Sequence, residues 1–401
     1  MSASSDHRET AGSGGKGAYT RQPFLIVQRE EQRRKDIYGS IGDNIVLQAQ
    51  HLRPEEPSKR VIIAMHPIGS PGYLPIFSGL ARAGNHVVAC ATRYSNGDAA
   101  LQMENVLLDL GACVRDARER LGYETVVLAG WSGGGSLMAG YQAEAEKPEI
   151  TQTAAGETTA LADTELVQAD GVMLLAAHRS RHHLVTEFLD ASIADEQHPE
   201  RHQADLDLYG DDGPQPPYSA EFIAHYRAAQ QERNRRISAY AKERLEDLRR
   251  RGRPDEELCF LVQGTMADPR WLDPAIEPND RTPGSTYMGD PKIVNNSPAG
   301  LARYTTTRSW LSQWSYDDAQ VDAIDAGPRI SVPVLIVEMS RDNACPISHT
   351  AGMYESIAHH DKEFVTIQGA DHYLSGSDQR SHISTAVSII GRWMDDHNFA
   401  T

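Results

Sequence analysis

Between Glu124 and Gly140 the sequence reads ETVVLAGWSGGGSLMAG. A β-branched apolar run, Thr125 to Leu128, leads into Gly130-Trp131-Ser132-Gly133-Gly134, and the helix-forming Leu137-Met138-Ala139 follows. This is a strand, a sharp turn and a helix. A serine at such a turn is held in strained backbone geometry, and glycines two positions before and after it let strand and helix pass closely. Its hydroxyl then points outward, available to attack a carbonyl. The pentapeptide alone also reads as a plain glycine-rich turn, and phosphate-binding turns share its context. Their own patterns are missing, since there is no Gly-x-x-x-x-Gly-Lys-Ser/Thr run and Gly-x-Gly-x-x-Gly does not follow the strand.

An attacking serine needs a base for its proton, a carboxylate to orient that base, and donors for the developing oxyanion. Asp342, in Ser340 to Pro346, and His372, in Gly369 to Tyr373, each lie just beyond a β-type run. The chain order Ser132, Asp342, His372 places all three at the carboxyl edge of a parallel sheet. Asp371 and Glu338 are rival carboxylates. Asp371 directly precedes His372 and reads as a turn residue, and Glu338 lies nearer the sheet interior. His66 and His178, at strand ends, reach the pocket mouth, with a structural role for His66 in holding its loop. Trp131 packs on the sheet or walls the pocket, and Arg93 reads as an ion-pair residue or as an anchor for a substrate carboxylate.

The elements that must position these groups alternate. Pro23–Gln28 and Ile45–Gln50 read as early antiparallel edge strands. Runs at Arg60–Met65, His86–Ala91, Gly171–Ala177, Val332–Glu338 and Glu363–Ile367 have the continuous apolar character of strands buried on both faces. Helices are expected over Ala99–Leu121, Ser348–His359 and Ile383–Met394. Such alternation implies a doubly wound α/β core. It is interrupted at about Arg179 to Pro328, too long for a simple connection. There, Ser219–Gly252 is expected as one long helix with a stripe of Phe222, Tyr226, Ala229, Ile237, Tyr240 and Leu248 and a solvated charged face. Trp310, Trp314 and neighbouring aromatics either line a pocket or pack the insertion itself.

HPIGS after the third strand, GWSGG, the Asp342 loop ending in Pro346, and GADHY together resemble the α/β-hydrolase superfamily. The resemblance covers roughly 23–178 and 328–398. It implies a mostly parallel central sheet flanked by helices, with a large, mostly helical cap inserted after the sixth strand. The expected organisation is a flexible tail at 1–20, a core at 21–178 and 329–401, and a cap at 179–328. By the same resemblance Ser132 is the nucleophile, His372 the base and then acid, and Asp342 the orienting carboxylate, while the amides of Ile68 and Gly133 form the oxyanion hole. His66, Trp131, His178, Trp310 and Trp314 are candidates for the substrate pocket. The family often has His-Gly where this chain has His66-Pro67, which bears on the Ile68 donor.

The formal charge of −17, from 39 basic and 56 acidic residues, argues against nucleic acid and anionic membrane as partners. No apolar run approaches the ~18 residues of a membrane span. Cys90, Cys113, Cys259 and Cys345 are far apart, giving neither a disulfide framework nor a zinc knuckle. The adjacent pairs His182-His183 and His359-His360 lack the i, i+4 spacing of a shared metal and read as solvated. The expectation is a cytoplasmic, cofactor-independent and metal-free serine hydrolase acting on an ester or related acyl bond of a small molecule, with a homodimer allowed by the large cap. A carbon–carbon bond hydrolase or acyltransferase using the same triad, and a non-catalytic ligand-binding protein of the same fold, are the competing readings.

Overall fold

The computed structural model describes residues 17–30, 35–38, 42–397 and 399. Most of the expected N-terminal tail therefore lies outside the described residues. In chain order come β1 (Tyr19–Arg29), β2 (Asn44–Pro54), β3 (Arg60–His66), α1 (Pro75–Arg82), β4 (Val87–Ala91), α2 (Met103–Glu119), β5 (Thr125–Trp131), α3 (Gly133–Glu146) and β6 (Gly171–Leu175). A long connection then carries α4 (Arg181–Phe188), α5 (Ala220–Arg250), β7 (Cys259–Leu261), α6 (Pro269–Leu272), α7 (Pro291–Val294), β8 (Tyr304–Thr306), α8 (Thr307–Gln313) and α9 (Ala323–Ala326). The chain closes with β9 (Val334–Met339), α10 (Ile347–Ser356), β10 (Lys362–Ile367) and α11 (Arg380–Asp396).

Eight strands form one sheet in the order β1-β2-β4-β3-β5-β6-β9-β10. β1 and β2 pair antiparallel, β2 meets β4 antiparallel, and the remaining neighbours are parallel. The pattern follows from the residues. Val61, Ile62, Ile63 and Ala64 of β3 and Val126 to Ala129 of β5 are wholly buried because helices cover both faces. Each large apolar side chain so buried contributes about 1.5–3 kcal/mol. One apolar layer joins the sheet to α2 and α3, and the other joins it to α1 and α11. The parallel strands all end at one edge, where β5 turns into α3 and where the loops after β9 and β10 begin.

The connection between β6 and β9 has apolar clusters of its own, one built on Val185, Leu189, Ile237, Trp310 and Trp314, another on Leu184, Phe188, Met266 and Trp271. The Ser219 hydroxyl caps α5 by accepting from the Phe222 amide at 3.1 Å. The buried face of α5 differs from the apolar stripe expected for it. Tyr226, Ile237 and Leu248 are inward, but so are Gln230, Arg233 and Asn234, while Tyr240 is exposed. Arg233 is neutralised by Glu196, at 2.7 and 2.8 Å, and donates to the carbonyls of Asp190 and Gly264, which is what makes its burial tolerable.

Candidate active site

Ser132 sits between β5 and α3 at φ 54°, ψ −122°, a region that L-residues avoid. The surrounding glycines show why the turn holds this shape. A Cβ on Gly130 would lie 2.1 Å from the Gly134 carbonyl oxygen, and one on Gly134 would lie 2.6 Å from that of Met65. The Ser132 amide donates to the Leu175 carbonyl at 3.0 Å, tying the turn to β6. Its side chain is left at the sheet edge, ahead of the N-terminus of α3.

The loop after β9 brings Asp342 to that edge and the loop after β10 brings His372. His372 Nδ1 and Asp342 Oδ2 are 2.8 Å apart, and both residues are 3 % exposed. Asp342 Oδ1 accepts the amides of Ala344 at 2.7 Å and Cys345 at 2.9 Å, so the carboxylate is fixed on both oxygens. The long connection grips the same loop. Asn279 donates to the Asp342 carbonyl at 2.8 Å, Trp271 Nε1 to the Asn343 carbonyl at 2.8 Å, and the Asp280 amide to the Ser340 carbonyl at 2.8 Å.

Two further side chains lie beside Ser132 and His372. The thiol of Cys345 lies 3.9 Å from Ser132 Oγ and donates to the Ala176 carbonyl at 3.0 Å. Burial, reinforced by Asp342, pushes that thiol well above its ordinary pKa, so it stays protonated. Tyr287, from the long connection, has its ring 6.1 Å from that of His372. Cys345 is found here by the structure alone, since it lies far from Ser132 in sequence, whereas Tyr287 is one of the aromatics of the insertion expected either to line a pocket or to pack the insertion. In this state Ser132 contacts the thiol rather than the His372 ring, a looseness common before substrate binds. A cleft of about 230 Å³, lined by Tyr287, Asn343, His372 and Tyr373 among others, leads from solvent to His372.

The rival carboxylates are occupied elsewhere. Asp371 accepts the Ser375 amide at 3.2 Å, and Glu338 is held by the hydroxyls of Thr350 and Thr366. Arg93 is buried against Asp109, at 2.8 Å, and Glu30, which makes it an ion-pair residue of the core. Trp131 is buried, with its ring 6.3 Å from His372. Trp310 and Trp314 depart from the expected pocket. Both are buried in the apolar cluster of the connection, Trp310 Nε1 donating to Ser238 Oγ at 2.9 Å and Trp314 stacking under the Arg181 guanidinium at 4.2 Å.

The Ile68 carbonyl oxygen lies 2.7 Å and the Ile68 amide 3.2 Å from His66 Nδ1; one ring nitrogen serves only one of them, and the shorter contact makes Nδ1 the donor to the carbonyl. The Gly133 amide opens α3 and has no carbonyl one turn back to accept it. Burial, then the nearby charge of Arg181, lowers the pKa of His66 to about 4. His178 is lowered well below its ordinary value by burial first, then by His349 and Arg181. Both rings are neutral at pH 7.

His182 is buried, contrary to the solvated position expected of it, and with His183 it faces Asp322 at 3.6 and 3.7 Å. Asp322 is already paired with Arg179 at 2.8 Å, and its other oxygen accepts the Ile324 amide at 2.7 Å. The carboxylate is thus satisfied by Arg179 and the Ile324 amide, and the two imidazoles lie beyond hydrogen-bond distance of it. His359 and His360 lie at the surface. The described cysteines are free thiols, and no described helix is long and apolar enough to cross a membrane.

The sheet order, the strained serine between β5 and α3, and an acid after β9 and a histidine after β10 are those of an α/β-hydrolase fold. A model of the PET hydrolase-like family, PETase, matches residues 299–400, the part that carries Asp342 and His372. None of the curated proteins matches the chain. Among solved structures, the chain is similar to Est1E from Butyrivibrio proteoclasticus, with 13% identity, a TM-score of 0.45, and 88% of this chain and 96% of that one covered. It is also similar to the esterase domain of a Rhodothermus marinus protein, with 14% identity, a TM-score of 0.45, and 93% and 98% covered. A monoacylglycerol lipase of Paleococcus ferrophilus shows 16% identity, a TM-score of 0.43, and 85% and 98% covered.

Proposed function

We propose that the protein is a cofactor-independent serine hydrolase that cleaves an ester, or a related acyl bond, of a small organic molecule. The carrying observation is Ser132 at φ 54°, ψ −122° on the sheet edge that also holds the buried His372–Asp342 pair at 2.8 Å. The match of residues 299–400 to the PET hydrolase-like family supports ester chemistry. On substrate binding the Ser132 hydroxyl gives its proton to His372 as its oxygen bonds to the carbonyl carbon. Asp342 holds the imidazole in the tautomer that accepts it and stabilises the imidazolium. The Gly133 amide donates to the resulting oxyanion. Collapse of the intermediate breaks the bond to the leaving alcohol, which takes the proton from His372, and leaves an acyl-enzyme. Water, deprotonated by His372, then releases the acid and restores Ser132.

The connection between β6 and β9 acts in this reading as the cap at 179–328. Its grip on the Asp342 loop through Trp271, Asn279 and Asp280 couples cap position to triad geometry. Free thiols, including the exposed Cys259, suit a reducing compartment such as the cytoplasm. The test is hydrolysis of p-nitrophenyl esters of rising acyl length by the wild type and by Ser132→Ala. The expected result is turnover with a length optimum that vanishes in the variant; equal turnover by both would reject the assignment.

A further inference from the structure

The cleft of about 230 Å³ that leads from solvent to His372 is lined by polar side chains alone. Among the described residues no aliphatic side chain borders it. Thr282, Ser285, Ser375 and Asn343 bring hydroxyls and an amide, and Tyr287 and Tyr373 bring rings that end in hydroxyls. Arg341 and Asp371 add one charge of each sign, which favours a neutral guest over an ionic one. Much of this polar surface is uncommitted. The hydroxyls of Thr282, Tyr373 and Ser375 make no hydrogen bond to a described residue, and Ser285 Oγ reaches only the Thr286 carbonyl, at 3.5 Å. Asp371 uses one carboxylate oxygen for the Ser375 amide, at 3.2 Å, and the other has no partner among the described residues. An alkyl guest would strip water from these groups and return no hydrogen bond, whereas a guest with several hydroxyls restores what the water supplied.

We propose that this cleft seats the alcohol part of the ester, and that this alcohol is a small uncharged polyol of about the size of one sugar ring. The side of the ester follows from the chemistry. His372 is the group that hands a proton to the departing alcohol, so what lies beside His372 is the alcohol and not the acyl chain. Ser132 forms its bond to the acyl carbon, the bond from that carbon to the polyol oxygen breaks, and this oxygen leaves with the proton His372 took from Ser132. The size follows from the volume, which is below the roughly 300–1,000 Å³ of sites for drug-sized ligands. The rings of Tyr287 and Tyr373 lie 6.1 and 4.7 Å from that of His372, so aromatic surface stands beside the base. Such surface suits the C–H face of a sugar ring, while the surrounding hydroxyls, amide and carboxylate suit its edge.

This inference rests on the serine hydrolase reading, and the experiment separates the two. kcat/KM is measured for the primary-alcohol acetate of methyl glucoside and for cyclohexylmethyl acetate, which share the acyl group and a ring-bearing primary alcohol and differ in the ring hydroxyls. p-Nitrophenyl acetate, whose activated leaving group has no need of the cleft, reports on the basal chemistry. The wild type should favour the glucoside ester over the cyclohexylmethyl ester by at least about tenfold. The double variant Tyr373→Phe, Ser375→Ala, which removes only two hydroxyls, should lower that preference by about three- to tenfold and leave p-nitrophenyl acetate turnover within about twofold. A wild type that turns over p-nitrophenyl acetate but handles the glucoside ester no better than the cyclohexylmethyl ester would overturn the inference, and this comparison decides even where the variant fails to fold. A folded double variant with an unchanged preference would overturn it too. A wild type that hydrolyses none of the three esters and takes no fluorophosphonate label at Ser132 would instead overturn the serine hydrolase reading itself.

Discussion

The two halves of this molecule keep water out by opposite means. In the sheet, Ile62, Ile63, Val127 and Leu128 are wholly buried among other hydrocarbon groups. Between β6 and β9 the largest wholly buried side chains include Arg233 and Arg308 beside Trp310 and Trp314. The difference follows from where backbone hydrogen bonds go. Strands satisfy their own amides and carbonyls, so their side chains are free to be apolar. The connection has one two-stranded pairing of three residues per strand, and its buried loop carbonyls need donors from side chains. Arg233 donates to the carbonyls of Asp190, Gln263 and Gly264, Gln230 to those of Glu187, Leu189 and Ala267, and Arg281 to those of Arg270, Ile276 and Glu277. Long polar side chains thus replace the ladder that the connection lacks.

This contrast makes the candidate site a junction of the two regimes, and substitutions should separate them. Asp342→Asn should lower kcat on the order of 10⁴-fold through loss of the correct His372 tautomer, in steady-state assays on a p-nitrophenyl ester. Arg233→Leu should cost about 3–5 kcal/mol in urea unfolding, because Glu196 and three loop carbonyls lose their donor together. Ile63→Ala, a pure cavity in the sheet, should cost about 2–5 kcal/mol. The two should differ in which region opens first by hydrogen exchange, the connection for Arg233→Leu and the sheet for Ile63→Ala.

A pH series sharpens the comparison further. Burial, then Arg181, lowers His66 to about 4, and burial, then His183, lowers His182 to about 3. Both rings stay neutral in the fold, while the unfolded chain takes up a proton below about pH 6.5. Stability is therefore full above that value and falls as the pH drops toward 4, by about 1.4 kcal/mol per pH unit for each group. Urea unfolding at pH 7, 6 and 5 should show the slope, and His182→Gln should remove the share that belongs to the connection. The smallest effect is expected at the exposed pair of Arg235 and Asp317, where Arg235→Ala should change stability by less than about 1 kcal/mol.

The sheet is the legible half for the same physical reason. Continuous runs such as Val61–Met65 and Val334–Met339 announce strands, because only apolar residues suit positions covered on both faces. The turn at Ser132 is legible through its glycines. In the connection the burial rule fails. Arg233 reads as part of a solvated face yet is buried, and His182 reads as solvated yet packs under Asp322, since their partners lie far away in sequence. Trp310 and Trp314 look equally like pocket or core until Ser238 and Arg181 are seen against them. Cys345 and Tyr287 reach the site by folding, and the shape of the Ile68 loop depends on an imidazole two residues away.

The central claim is that Ser132 is an activated nucleophile held at the meeting point of these two regions. Its most direct test is intact-protein and peptide mass spectrometry after brief exposure to a fluorophosphonate. The account predicts one adduct per chain, on Ser132, formed quickly by the wild type and much more slowly by His372→Ala. An unmodified Ser132, or labelling that is indifferent to His372, would contradict it.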